Sequence, residues 1–210
     1  MGYRNYFVIA EKEKVDEFLK LSEEDRVRFS FKQDIEKGYM DQEEIDNFVE
    51  MNYINSFVFK HEMGGEEIHE CGKYFDNETA EKIKEGSINL SNDDGEINVK
   101  VKPEALLICA EHYKQNSIKW WNNIIKSMEM TDEEIKEDWK NYPEGRPNIK
   151  EKLIWHIREL EDKHIDVLDT NINHKYRITS SWVYEYTMFE LVHLYKTIDW
   201  DKYYLIWLGY

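Results

Sequence analysis

The sequence predicts an α+β fold: a small mixed or antiparallel sheet with helices first, then a mainly helical half packed around one long helix at about 103–128. Three observations predict it. Ile97, Val99 and Val101 alternate with Asn98, Lys100 and Lys102, which is the period of a half-buried strand; Leu106, Ala110, Tyr113, Ser117, Trp121, Ile124 and Met128 then recur every three or four residues, which is the period of a helix. Strand and helix patterns mingle up to about residue 102, and helix patterns dominate after it. Three prolines and nine glycines are too few for a linker-rich chain, so one domain over 1–210 is expected, with 1–102 and 103–210 as its subdivision.

Taken in order, Tyr6 to Ala10 is apolar, aromatic and β-branched and reads as a strand. Glu13 to Leu21 carries Val15, Phe18 and Leu19 at helical spacing. Ser22 followed by Glu23, Glu24 and Asp25 supplies a hydroxyl cap and an acidic first turn, although Val27, Phe29 and Phe31 also alternate as a strand would. Asp41, with Glu44 three residues on, caps a helix through Ile45, Phe48 and Val49. Tyr53 to His61 reads as a strand, Met63-Gly64-Gly65 as a turn, and Glu67 to Cys71 as the returning arm of a hairpin. Asp76 or Asn77 caps a short helix to Glu85 that Gly86 ends. Ile88 and Leu90 mark a short strand, and Asn92-Asp93-Asp94-Gly95 turns it into the strand at 97–101.

Pro103 stops that strand and pre-sets φ for the long helix, which spans roughly 39 Å at 1.5 Å per residue. Its polar face carries Glu111, Gln115, Lys119 and Lys126, while Leu107, Ile118 and Ile125 flank the apolar stripe. Thr131 to Glu134 is a capping box before a helix through Ile135 and Trp139, and Tyr142 to Pro147 is a loop. Ile149, Leu153, His156, Ile157 and Leu160 make the next helix, and Asp169 to Lys175 is a polar loop. Ser180 or Ser181 caps the last helix, through Trp182, Val183, Tyr186, Phe189, Glu190 and His193. The final stretch, Trp200 to Tyr210, contains the apolar run Leu205 to Leu208. It is expected to dock on the body of the protein, because a free tail of this composition exposes too much apolar surface.

Forty-four acidic residues against 28 basic ones give a net charge of −16. Such a field repels phosphate backbones, and no window forms a basic stripe, so nucleic acid is disfavoured as a partner and a basic protein or a cation is favoured. Two cysteines, Cys71 and Cys109, make no disulfide framework, which points to a reducing, cytoplasmic location. The first residues lack the charged and apolar regions of a signal peptide, and Tyr6 stands where a myristoylation signal has Ser or Thr. No apolar run approaches the ~20 residues a membrane span needs. Gly-rich phosphate loops, nucleophile elbows, His-Glu-x-x-His and Cys-x-x-Cys are all absent.

Three constellations remain. His69 and Cys71 are two apart and share one face of a strand; a hairpin would bring His61 opposite, with Glu67 as a fourth donor, a set suited to zinc. Glu161 with His164, and Glu190 with His193, repeat the Glu-x-x-His spacing of di-iron bundles, with Glu111 on the long helix as an extra carboxylate; in so acidic a chain the same spacing also arises on plain helix surfaces. Trp200, Tyr203, Tyr204, Trp207 and Tyr210 are too many for one buried face, so part of this set is expected at a binding surface. The expected function is an acidic soluble protein-binding module, an inhibitor or immunity-type protein that neutralises a basic partner being its concrete form. A metal-dependent enzyme using zinc or iron, and a small-molecule-binding protein with a pocket between the sheet and the long helix, are the alternatives. No cofactor is expected under the leading reading, no activity is assigned, and self-association is compatible with it.

Overall fold

The computed structural model describes residues 5–71, 75–90, 97–127, 147–167 and 182–209. The fold is α+β, as the sequence predicts. Strands β1 (Asn5–Glu11), β2 (Glu66–Cys71), β3 (Ile88–Asn89), β4 (Ile97–Val101) and β5 (Tyr203–Gly209) form an antiparallel sheet in the order β2-β1-β5-β4-β3. The first and last strands therefore lie side by side, and β5 bonds to β1 on one side and β4 on the other. Val8 faces Ile206 and Val99 faces Trp207 in the register.

Helices α1 (Lys12–Lys20), α2 (Glu23–Ser30), α3 (Lys32–Glu36), α4 (Gln42–Glu50) and α5 (Val58–His61) precede β2, and α6 (Asn77–Lys84) follows it. Tyr6, Val8 and Ala10 of β1 and Ile206 and Leu208 of β5 project from one face of the sheet into a core with Phe18, Val27, Phe31, Val58 and Phe59. Phe31 stacks on Phe48 with centroids 4.7 Å apart, which ties α4 to α2. The opposite face presents Phe7, Ile9, Val99, Val101, Leu205 and Trp207, all buried. Burial on both faces explains why β1 and β5 are nearly continuous apolar runs, whereas β4 alternates apolar residues with the buried Asn98 and the half-buried Lys100.

The caps read in the sequence at Ser22, Asp41 and Asp76 are made. Asp25 N–H donates to Ser22 Oγ at 3.1 Å, and Thr79 N–H donates to Asp76 Oδ1 at 2.8 Å. Asp41 and Glu44 form both bonds of a capping box. The ambiguous stretch Val27 to Phe31 resolves as helix up to Ser30.

One stretch departs from expectation. Tyr53 to His61 is no strand, because its backbone bends at Asn55. There Phe57 N–H donates to Asn55 Oδ1 at 3.1 Å and Asn55 N–H donates to Ser30 Oγ at 3.0 Å, and the chain then enters α5. The expected hairpin is consequently absent: β2 forms where expected, but its partner is β1.

The chain divides into two compact units, Met1–Ala105 with Thr197–Tyr210, and Leu106–Lys196. The last strand, β5, belongs with the first unit. The second unit holds α7 (Ala105–Ser127) from Leu106 on, α8 (Pro147–Asp162) and α9 (Trp182–Thr197) up to Lys196. The α7 stripe is buried at Leu106, Ala110, Tyr113, Ser117 and Trp121 and half-buried at Ile124. Trp121 meets His156 of α8 edge-on, with centroids 6.0 Å apart. The buried Lys114 ammonium donates to the Lys163 carbonyl and pairs with Glu111 at 3.8 Å. The Asn92–Gly95 turn, the capping box at Thr131, the helix through Trp139, the loop up to Arg146, the loop from Asp169 and the caps at Ser180 and Ser181 lie outside the described residues.

Candidate functional site

The aromatic residues of the C-terminal strand separate by position. Trp207 is 2% exposed and belongs to the core, where it meets Phe75 edge-on at 6.0 Å and lies under Lys84 Nζ at 5.7 Å. Tyr210 lies outside the described residues. Trp200, Tyr203 and Tyr204 are half-buried and line a groove of about 220 Å³ at one end of the sheet, with Lys12, Gly86, Lys100, Val101, Lys102, Pro103 and Leu205.

Four elements converge there. Lys12 opens α1, Lys100 lies near the end of β4 and Lys102 just after it, Gly86 follows α6, and the turn into β5 with the start of that strand supplies the aromatic rings. That turn is held by Asp199: Asp201 N–H donates to its Oδ1 at 3.1 Å, and Tyr203 N–H donates to its carbonyl at 3.0 Å. Lys12 N–H donates to the Lys202 carbonyl at 3.0 Å, which fixes the start of α1 against the turn. Lys100 Nζ sits 4.0 Å from the Tyr204 ring centroid, and Lys12 Nζ sits 5.2 Å from the same centroid. Lys202 Nζ lies 4.9 Å from the Tyr203 ring. The Tyr204 hydroxyl donates to Asp16 Oδ1 at 3.2 Å, and its pKa is raised by burial first and by the Asp16 charge second.

A second surface lies on the helical layer. Tyr39 is 73% and Met51 64% exposed, and Leu21, Ile35 and Phe57 are also exposed. The same stretch of chain carries exposed carboxylates on α1, α2 and α4, such as Glu17, Glu23, Glu43 and Glu50. Charge alone could not have located this surface in the sequence; the spacing of Ile35, Tyr39 and Met51 outside the apolar stripes was the available signal.

The candidate metal ligands are placed as follows. His69 is in register with Phe7 and Cys71 with Asn5, so both project from the face of the sheet that carries Phe7. His61 ends α5, which packs on the other face through Val58 and Phe59, and its ring stacks on Phe57 at 6.0 Å. Glu67 pairs with Lys60. Burial lowers the His69 imidazole to about 4 and pushes the Cys71 thiol far above its ordinary range, so the thiolate that binds zinc is disfavoured. In the second unit Glu161 and His164 are exposed at the end of α8, Glu111 is engaged with Lys114, Glu190 is half-buried with its pKa raised by burial, and His193 is exposed. Among the described residues no three or more His, Cys, Asp or Glu side chains gather as a metal site.

Comparison of the chain with protein-family models, curated proteins and solved structures gives no significant match.

Proposed function

We propose that the chain is an acidic protein-binding module, in concrete form an inhibitor or immunity-type protein that neutralises a basic partner. The observation that carries this reading is the helical layer α1 to α4, whose exposed residues include Tyr39 and Met51 together with many carboxylates. An aromatic ring and a thioether supply anchor contacts, and the surrounding charge steers a basic surface onto them. The net charge of −16 supports the same partner. Cys71 and Cys109 are buried free thiols, which fits a reducing compartment such as the cytoplasm. None of the described helices is long and apolar enough to cross a membrane.

The test is cross-linking from a photo-reactive residue at position 39 in cells, followed by kinetics with the captured partner. Association is expected to slow about tenfold or more from low to physiological salt, and Tyr39→Ala with Met51→Ala to accelerate dissociation. A salt-independent association rate refutes the steered encounter. Capture of a second copy of the chain instead identifies self-association, which sedimentation then measures. The groove favours a small-molecule-binding reading as well. The metal-dependent enzyme reading rests on no gathered ligand set among the described residues, and elemental analysis of the purified protein decides it.

A further inference from the structure

We infer that the groove formed by Lys12, Lys100, Lys102, Trp200, Tyr203 and Tyr204 is a binding site for a compact oxyanion of the phosphate class. In a chain with 44 acidic and 28 basic residues, some ammonium groups are neutralised by carboxylates. Lys14, Lys32, Lys60 and Lys82 each do so, with Glu11, Glu36, Glu67 and Glu78. Lys12, Lys100 and Lys102 converge on one concavity and pair with no carboxylate among the described residues. Lys12 and Lys100 instead both approach a single aromatic ring, Tyr204, at 5.2 and 4.0 Å from its centroid, which places the two like charges no more than about 9 Å apart. Nearby like charges repel, and a shared anion relieves that repulsion while gaining charge-assisted hydrogen bonds.

The walls fit the same ligand. Two carboxylates close to these lysines in the fold are already engaged: Asp16 accepts from the Tyr204 hydroxyl, and Glu11 pairs with Lys14. Gly86, at φ +71°, leaves room for the third lysine, since a Cβ there would stand 3.1 Å from Lys102 Cε. About 220 Å³ is below the usual ~300–1,000 Å³ of a drug-sized pocket and suits a phosphate or diphosphate group better than a large organic ligand. Two or three ammoniums call for more than one negative charge, which favours phosphate over a single carboxylate. The groove would bind this group whether or not the helical layer meets a basic protein.

The experiment is titration of the full chain with inorganic pyrophosphate, and separately with a phosphoserine peptide and its unphosphorylated counterpart, followed by calorimetry and backbone amide NMR. Saturable binding is expected, with shifts confined to residues around 12, 100–102 and 200–205. Lys100→Glu or Lys12→Glu should weaken it by about tenfold or more, and the distant Lys32→Glu should not. Lys100→Met, which keeps the stem against Tyr204, separates loss of charge from loss of packing, and circular dichroism confirms that each variant is folded. Binding of pyrophosphate identifies a free phosphate ligand; binding of the phosphopeptide alone identifies a phosphorylated side chain, and both support the site. Absence of saturable binding by either probe at about 10 mM, or equal affinity in folded Lys100→Glu and Lys12→Glu variants, overturns it.

Discussion

At Gly65 an added Cβ would run into the Ile9 carbonyl oxygen and stand 2.8 Å from the Ala10 Cα. The turn before β2 is drawn against β1 there, with Glu11 N–H donating to the Met63 carbonyl at 2.8 Å. Backbone cannot yield as a side-chain tip can, so Gly65→Ala is expected to cost about 3 kcal/mol or more, read from urea denaturation; a loss within experimental error would mean that the turn sits farther from β1. His69 makes a pH prediction at the same scale. Burial lowers its pKa to about 4, against about 6.5 in an unfolded chain. The unfolded state then binds more protons between those values. The neutral ring's contribution is full above about pH 6.5 and is lost as pH falls toward 4, a change of about 3 kcal/mol over that window, of which roughly 2 falls between pH 7 and pH 5. Comparing denaturation at pH 5 and pH 7 in the native chain and in His69→Gln checks this. A pH dependence that survives the substitution assigns it to other groups.

At the scale of the element, caps and stripes act as local chemistry dictates. The Asp41–Glu44 capping box satisfies two N–H groups at the start of α4, each bond being 2.9 Å. Asp41→Ala is expected to cost about 1 kcal/mol, and Asp41→Asn to retain most of it. In α7 the sequence treats Trp121 and Ile124 alike, since both lie in its apolar stripe. The structure ranks them: Trp121 is buried and Ile124 half-buried. Trp121→Ala is expected to cost about 3–5 kcal/mol and Ile124→Ala about 1 kcal/mol, measured by chemical denaturation of each variant. Equal losses would show that the helix is rotated from this orientation.

At the scale of the whole chain, β5 is the strand on which the sheet depends. Truncation after Ile198 removes the hydrogen-bonding partner of both β1 and β4 and takes Leu205, Ile206, Trp207 and Leu208 out of the core. Each such side chain contributes roughly 1.5–3 kcal/mol when buried, so the loss exceeds the 5–15 kcal/mol stability of an ordinary domain at its lower end. The shortened chain is expected to lose its cooperative melting transition and to aggregate. A truncated monomer that melts as the full chain does would place β5 outside the core.

Local order was legible in the sequence wherever one residue type forces one conformation. Ser22, Asp41 and Asp76 announce helix starts because their side chains accept from the next turn's N–H groups, and Gly86 takes the positive φ that ends α6. The alternation at Val99 and Val101 was legible from period alone, although Asn98, between Ile97 and Val99, is itself buried. The stripe of α7 was legible because one face is apolar and buried while Gln115, Lys119 and Lys126 are exposed. Tyr53 to His61 misled because its apolar residues satisfy a strand pattern, while the bend depends on Ser30, which is distant in sequence. The run Leu205 to Leu208 announced burial, but a continuous apolar run does not say which strands lie beside it. Only tertiary pairing placed it between β1 and β4, almost two hundred residues from the former. The same long-range closure brought Lys12 and Lys100 to one tyrosine ring, a juxtaposition that no local period encodes.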